Sequence, residues 1–402
     1  MHWHESATAS DESTRQLLVR AHEIGPILAR SAGAAERSGR LSEEAYSALR
    51  QAGFLKLWRP ASLGGLEVSP LAHALVTEEV ATFDSAAAWT MMAASNAAFD
   101  LRMARPAFVQ HVYSEDGDAL VCATLNKPLV AEQSRDGYVV TGEVPFASGC
   151  HYARWLGHLC LPQRAGEPVL NDAGNPRLLL VYHPRESVQI VDDWDSLGLR
   201  GTSSNSIRLE AAFVPEERTV DLGAVSPASG HFSGPLYRCP IALLSSTTFA
   251  PALGVLRGAL GALTEAAETK VPFATSAPLK QRSLAQLHYA RALGHYRAAR
   301  SYLHAELERA FQAAREGAKF TLQDKAALIL AATHGSQACV EAVRELAAAA
   351  GTTAIYRRSP LERALRDIET LKHHALLAEG RYANVAQAEW DAPIDFPLMT
   401  LD

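Results

Sequence analysis

Two groups of side chains in this 402-residue chain have the types and spacing to do chemistry. One is the adjacent pair His373 and His374, which follows the string S-P-L-E-R-A-L-R-D-I-E-T-L-K. Imidazole exchanges protons near neutral pH, so a histidine held against a substrate suits general acid–base work. The other is the stretch Trp194–Arg218, which opens as a polar turn with Gly198, Arg200, Gly201, Thr202 and Ser204. It continues with Ile207, Leu209 and Ala211 alternating with Ser206, Arg208 and Glu210, the period-two pattern of a half-buried strand. Pro215 ends that strand, because proline cannot donate to a ladder. Small residues and hydroxyls ahead of a strand let the backbone approach a flat or anionic ligand. Taken alone, the stretch is equally an ordinary hairpin, and the Ser148-Gly149 step at the end of Phe146-Ala147-Ser148-Gly149 is equally a turn.

Other chemistries are absent from the sequence. No H-E-x-x-H, no G-x-G-x-x-G after a strand and no G-x-x-x-x-G-K-[ST] occurs, which removes zincin, Rossmann and P-loop readings. His2/His4 and His373/His374 are the only close histidine pairs, without a third ligand at metal spacing, so no metal is expected. Five scattered cysteines, with no C-x-x-C, point to reduced thiols in a cytoplasmic protein. A net charge of -6 gives no basic footprint for nucleic acid. The N-terminus lacks a basic patch followed by an apolar core, and the apolar runs are broken by charges, so neither a leader nor a membrane span is expected.

The elements that must position these residues fall into three expected domains. Residues 13–117 read as helices. Ser13 or Thr14 caps the first, Pro26 bends or divides it, Ser42 caps the second, and Gly53 stands at a C′ position. The helix S-A-A-A-W-T-M-M-A-A-S-N-A-A-F (85–99) is apolar nearly all round and should be buried, with Ser95 and Asn96 needing partners. Residues 118–222 switch to strand periodicity, with Asp136-Gly137 as a hairpin turn and Asn126 following the first strand, which suits a mostly antiparallel β-barrel or sandwich. A Gly/Pro/Ser-rich linker leads to residues 241–388, where four long segments (241–268, 278–316, 321–350 and 360–388) predict a four-helix bundle. An apolar pocket between the Trp89–Phe99 helix and the Ile241–Leu253 segment would be lined by Met91, Met92, Ser95, Phe99 and Phe249, unless these are plain core.

W-x-x-L-G-L-R-G-T-x-S-N followed by a strand and F-V-P-E-E-R resembles the flavin-side β-domain of the acyl-CoA dehydrogenase superfamily. G-F-L-K-L-W-R-P-A-S-L-G-G (53–65) and the 359–374 string are similar to further elements of it, so the likeness spans about residues 15–385. The fold it implies is α+β: a helical domain, a β-domain and a four-helix bundle. Within the superfamily the chain is closest to the two-component (group D) flavin-dependent monooxygenases.

That resemblance implies a reduced flavin (FAD or FMN) and O2 as reactants, delivery of the flavin by a separate NAD(P)H-flavin reductase, and a homotetramer. It implies a C4a-(hydro)peroxyflavin that hydroxylates an aromatic, indole-like or polycyclic small molecule. Ser148 would lie beside the flavin N5 and His374 beside the adduct. Trp194, Arg200, Thr202 and Ser204 would bind the cofactor, and Asn126 stands where dehydrogenase relatives carry a flavin-contacting T-E-P segment. A dehydrogenase needs a carboxylate base. The family places it eight residues after Asp367, where this chain has Ala375, or near Ser246, in a span (233–263) without Asp or Glu. Glu379 lies one turn too far. An acyl-CoA dehydrogenase or related oxidase, and a catalytically degenerate flavoprotein scaffold, stay open as alternatives.

Overall fold

The computed structural model describes residues 11–114, 119–171, 174–223, 230–273 and 275–400. The N-terminal segment read for a leader and part of the Gly/Pro/Ser-rich linker lie outside them.

Five helices come first: α1 (Glu12–Ser38), α2 (Glu43–Gln51), α3 (Pro70–Phe83), α4 (Ser85–Asp100) and α5 (Pro106–Ser114). The first cap differs from the expectation. The Asp11 carboxylate, not Ser13 or Thr14, takes the Thr14 N–H at 2.7 Å, and Pro26 is accommodated inside a continuous α1. Ser42 caps α2 by accepting from Ala45 N, and Gly53 adopts φ +83°, the left-handed conformation expected after a helix. In α4 every residue except Ala93 and Asn96 is buried, as its all-round apolar sequence requires.

Eight strands follow: β1 (Leu120–Ser134), β2 (Gly137–Ala147), β3 (Ala153–Arg164), β4 (Glu167–Pro168), β5 (Leu179–Pro184), β6 (Gln189–Val191), β7 (Asn205–Pro215) and β8 (Thr219–Asp221). The expected barrel or sandwich takes the form of one continuous sheet, ordered β6-β7-β2-β1-β3-β5-β8 with β4 beside β3. All pairs are antiparallel except β1 with β3. The two faces of the sheet enter two separate apolar cores. Leu156, Cys160 and Val181 pack toward α1–α4, while Trp155, Leu159 and Tyr182 join the core shared with the C-terminal helices. Asn126 does not follow β1 as expected. The strand runs on to Ser134, and Asn126 sits in a bulge where the register with β3 slips between Thr124 and Leu129.

The C-terminal helices are α6 (Leu243–Thr269), α7 (Ser283–Glu316), α8 (Leu322–Ala350), α9 (Pro360–Leu371), α10 (Gly380–Glu389) and the short α11 (Pro397–Thr400). Thr321 and Asp324 form a reciprocal capping box at the start of α8. The span Leu322–Ile355 is long and apolar enough to cross a membrane by composition, contrary to the sequence reading, and 72% of its most apolar window is buried in the fold. Glu78 of α3, itself buried, ties α6 and α7 to the N-terminal helices. Burial pushes its carboxyl up, but the guanidiniums of Arg300 (2.9 Å) and Arg257 hold it below the usual range. The largest departure is in the fourth expected helix. It is not continuous over 360–388: α9 stops at Leu371, and residues 372–379 form a chain of turns before α10.

Candidate active site

A chain of hydroxyls starts at α4. Trp89 Nε1 donates to Ser148 Oγ at 3.0 Å, Ser148 Oγ lies 2.7 Å from Ser204 Oγ, and Ser204 Oγ lies 2.6 Å from Thr202 Oγ1. Thr202 Oγ1 in turn donates to the Leu199 carbonyl at 2.9 Å. Each hydroxyl has one proton, and the indole can only donate. With both ends fixed in direction, the chain runs one way: Trp89 to Ser148 to Ser204 to Thr202 to Leu199 O. Ser148 thereby keeps one acceptor lone pair uncommitted.

The backbone around this chain is bent to make it. Phe146, Leu199 and Ser203 hold φ of +65°, +51° and +52°, sparsely populated values for side chains of these types. Ser203 is fixed there by contacts on its other side: its Oγ lies 2.5 Å from His151 Nδ1, and its carbonyl accepts from the Cys150 thiol. His151 Nε2 faces Asp192 at 3.2 Å. Gly149 N donates to Thr202 O, joining the turn after β2 to the turn before β7.

The second turn is anchored to α9. Asp367, fully enclosed, accepts from Leu199 N at 2.7 Å through one carboxylate oxygen and from the Ser85 hydroxyl at 2.6 Å through the other. Gly198 N donates to Thr370 Oγ1 at 2.8 Å. A Cβ at Gly198 would stand 2.2 Å from the Arg366 carbonyl, so only glycine lets the turn reach the helix. Burial raises the Asp367 pKa, with the Ser85 and Leu199 hydrogen bonds pulling the other way. Burial likewise pushes the neighbouring Asp84, the N-cap of α4, up to about 6.

His374 approaches the chain from the turns after α9. Its ring stands edge-on to Trp89, with centroids 5.4 Å apart and an interplanar angle of 69°. His374 keeps part of its surface accessible, yet protein surrounds the ring closely enough that desolvation pulls its pKa down to about 4. It is therefore neutral at pH 7. The Leu376 N–H points at Nδ1 at 3.3 Å, so Nδ1 is the acceptor and Nε2 carries the proton. His373 is exposed. One helix over 360–388, as expected from the sequence, would have carried both histidines and given Leu371, Ala375 and Ala378 one common face. The helix has ended, Ala375 is exposed, Ala378 is half-buried and Leu377 is buried instead.

The expected site residues thus divide. Ser148, Thr202, Ser204 and His374 come together, joined by Trp89, which the sequence reading named only as part of a helix. Trp194 flanks the turn, donating from Nε1 to the Leu199 carbonyl at 3.0 Å and standing edge-on to Phe146. Arg200 does not join the chain; its guanidinium bonds Ser196 O, Glu36 O and Asp195. Asn126 accepts from its own neighbour Lys127 N, and among the described residues no hydrogen bond joins it to the others. Of the pocket residues, Met91 and Ser95 face the other core, Ser95 bonding the Met91 carbonyl. Phe99 is buried between Trp58 and Arg102, and Phe249 is buried against Gly335. Met92 alone of the five lies beside the Trp89 stripe with polar neighbours. Asp367 was legible as an Arg-Asp string but was used only as a counting mark.

A flavin is a flat ring system with a hydrogen-bonding edge, and the residues present fit it. The free lone pair of Ser148 can accept the N5–H that reduced flavin carries and oxidised flavin lacks, and Trp89 fixes that serine from behind. Among the described residues, no group of three or more His, Cys, Asp or Glu could hold a metal ion.

Comparison with known proteins agrees with this fold. The family model "Acyl-CoA dehydrogenase, N-terminal domain" matches residues 19–105, and "Acyl-CoA dehydrogenase, C-terminal domain" matches residues 246–379. The two together span more than half of the chain, which belongs to the acyl-CoA dehydrogenase superfamily. An indole-3-acetate monooxygenase of Pseudomonas putida is 27% identical over 357 residues, 88% of each chain. The oxygenase subunit HsaA, a flavin-dependent monooxygenase of Rhodococcus jostii, is 27% identical over 379 residues, covering 92% of this chain and 97% of its own. XiaF from a Streptomyces species, solved with FADH2 and glycerol, superposes with a TM-score of 0.90 over 96% of this chain and 98% of its own, at 22% identity. At that identity the likeness is one of fold.

Proposed function

We propose that this protein is the oxygenase component of a two-component flavin-dependent monooxygenase that hydroxylates an aromatic small molecule. The observation that carries this reading is His374 edge-on to Trp89, next to a hydroxyl chain with one free acceptor, in a scaffold whose dehydrogenase members need a carboxylate. Here the position of that base is Ala375, which is exposed in the turns, and α6 carries no acid before Glu265. Relatives named as an indole-3-acetate monooxygenase, the oxygenase subunit of a flavin-dependent monooxygenase and the oxygenase component of an FADH(2)-dependent resorcinol hydroxylase support the same class.

Reduced flavin, when bound, supplies the two electrons that activate O2 for transfer of one oxygen atom to the ring. Ser148 and its chain orient the cofactor edge. Trp89 and the strained turns exclude water, which keeps reduced oxygen from escaping as peroxide. Neutral His374 presents Nε2–H as a hydrogen-bond donor to oxygen. The reduced flavin comes from a separate NAD(P)H-flavin reductase, the assembly is a homotetramer and its setting is the cytoplasm; the first of these follows from relatives named as subunits or components.

The test is to supply the pure protein with NADH or NADPH and catalytic flavin, with and without an unrelated flavin reductase. Aromatic product and O2 uptake should require the reductase. Substrate-dependent NAD(P)H oxidation by the protein alone, or reduction of its flavin by an acyl-CoA, would defeat the reading.

A further inference from the structure

One face of α4 is open where the rest of the helix is closed. Of its sixteen residues only Ala93 and Asn96 are half-buried rather than buried, and both lie on the stripe that Trp89 begins. At 100° per residue, Trp89, Met92, Ala93 and Asn96 fall within one narrow sector. That sector faces the N-terminal end of α6, where Thr247 Oγ1 bonds Asn96 Oδ1 at 2.9 Å and Thr248 Oγ1 lies 3.9 Å from the Met92 sulfur.

Asn96 is incompletely used there. Its Oδ1 is engaged by Thr247, but the partner of its Nδ2 among the described residues is the Met92 thioether at 3.2 Å. A thioether is a weak acceptor, and an amide nitrogen has two protons to place. A half-buried amide with a spare donor, beside half-buried Ala93, is a polar group able to donate to a ligand.

Resting on the oxygenase reading above, the geometry points to Asn96 as the specificity-determining residue, donating from Nδ2 to a neutral oxygen acceptor of the substrate. Asn96 lies seven residues from Trp89, a rise of about 10 Å along the helix. The group it recognises is therefore at the end of the substrate remote from the ring position held near Trp89 and His374. That span fits two or three fused rings with a carbonyl or ether oxygen at the far end. The wall offers no counter-charge: Trp89, Met92, Asn96, Thr247 and Thr248 are uncharged and His374 is neutral, so a carboxylate at that end would be desolvated without compensation.

The probes are 1-tetralone, which places a carbonyl on a bicyclic frame, and tetralin, which lacks it, each titrated by equilibrium dialysis into the flavin-loaded full chain. Wild type should bind 1-tetralone about tenfold more tightly, the value of one well-made hydrogen bond. Both Asn96→Leu and Asn96→Asp should erase that preference, the second because a carboxylate has no proton to donate. A preference retained in either variant would show that Asn96 only braces Thr247, and a wild type that binds flavin but shows no preference, or binds neither probe, would overturn the proposal. Failure of the wild type to bind reduced flavin would instead strike the oxygenase reading, since that measurement involves neither probe.

Discussion

His374 and Trp89 meet edge to face, their ring centroids 5.4 Å apart, although 285 residues of chain separate them. The contact joins the C-terminal turns to the hydroxyl chain of the β-domain, because Trp89 also donates to Ser148. It makes Trp89 the neighbour shared by the two groups proposed to face the reaction.

His374→Ala should reduce hydroxylated product by about 10²–10⁴-fold, the usual loss for an acid–base group, and raise the hydrogen peroxide formed per O2 consumed. His373→Ala, an exposed change, should leave both values near wild type. Coupled product and peroxide assays check this; equal effects would remove His374 from the chemistry.

Ser148→Ala takes out the second link of the chain and leaves the Trp89 N–H without its partner. A lost hydrogen bond at an enclosed group costs about 1–3 kcal/mol. With the serine in its proposed role as acceptor, reduced flavin should bind more weakly by a corresponding factor of about 5–150, while oxidised flavin changes less. Anaerobic titration with each redox form measures the difference, and equal losses for both would place Ser148 outside the N5 region.

Gly198→Ala should push the turn off α9, since its Cβ would meet the Arg366 carbonyl. Overpacking of this kind costs about 1–3 kcal/mol. Both the melting temperature and reduced-flavin affinity should fall, because the same turn carries Thr202 and Ser204. Asp367→Leu should have a parallel effect by stranding Leu199 N and the Ser85 hydroxyl. A drop in stability with unaltered flavin affinity would separate the turn from the cofactor.

Acid should destabilise the fold through its buried histidines. Burial draws His73 and His183 down to about 3, and His158, His304 and His374 down to about 4. The unfolded chain takes up these protons below about pH 6.5, while the folded chain refuses them, so the stability present above 6.5 is lost as pH falls toward 4. Asp84 and Asp100, raised to about 6 and about 7 by burial, act in the opposite sense over the same window. Asp367, also raised by burial, acts with these two, but five histidines oppose three carboxyls and dominate. His158 and His183 stack at 5.2 Å on one sheet face, so His183→Phe should remove about 1.4 kcal/mol per pH unit from the slope between 6.5 and 4. Urea melts at several pH values give that slope, and one unchanged by the substitution would refute the assignment.

Local rules made much of the chain legible. Ser42 and Gly53 sit where capping chemistry puts them, α4 is buried as an all-round apolar helix must be, and the strand pattern after Ser204 is β7. The small residues from Gly198, read as a place where backbone approaches a flat or anionic ligand, bring the turn against α9. Where several local outcomes were compatible with the same residues, periodicity failed. Residues 372–379 have helical composition, with no proline or glycine to end α9, so nothing local announces the turns that place His374.

The sequence by itself determined the hydroxyls, the imidazole, the missing carboxylate and the elements that carry them, because these depend on residue type and short-range geometry. Only the tertiary structure decided which of them meet. Trp89, Ser148 and His374 lie on three elements whose mutual position is set by packing and by long-range bonds such as Asp367 to Leu199. That same packing turned Arg200 toward Asp195 and Glu36, and left Asn96 open while closing Met91. A side chain's partner across a fold is fixed by the sum of all such contacts, and no window of sequence contains that sum.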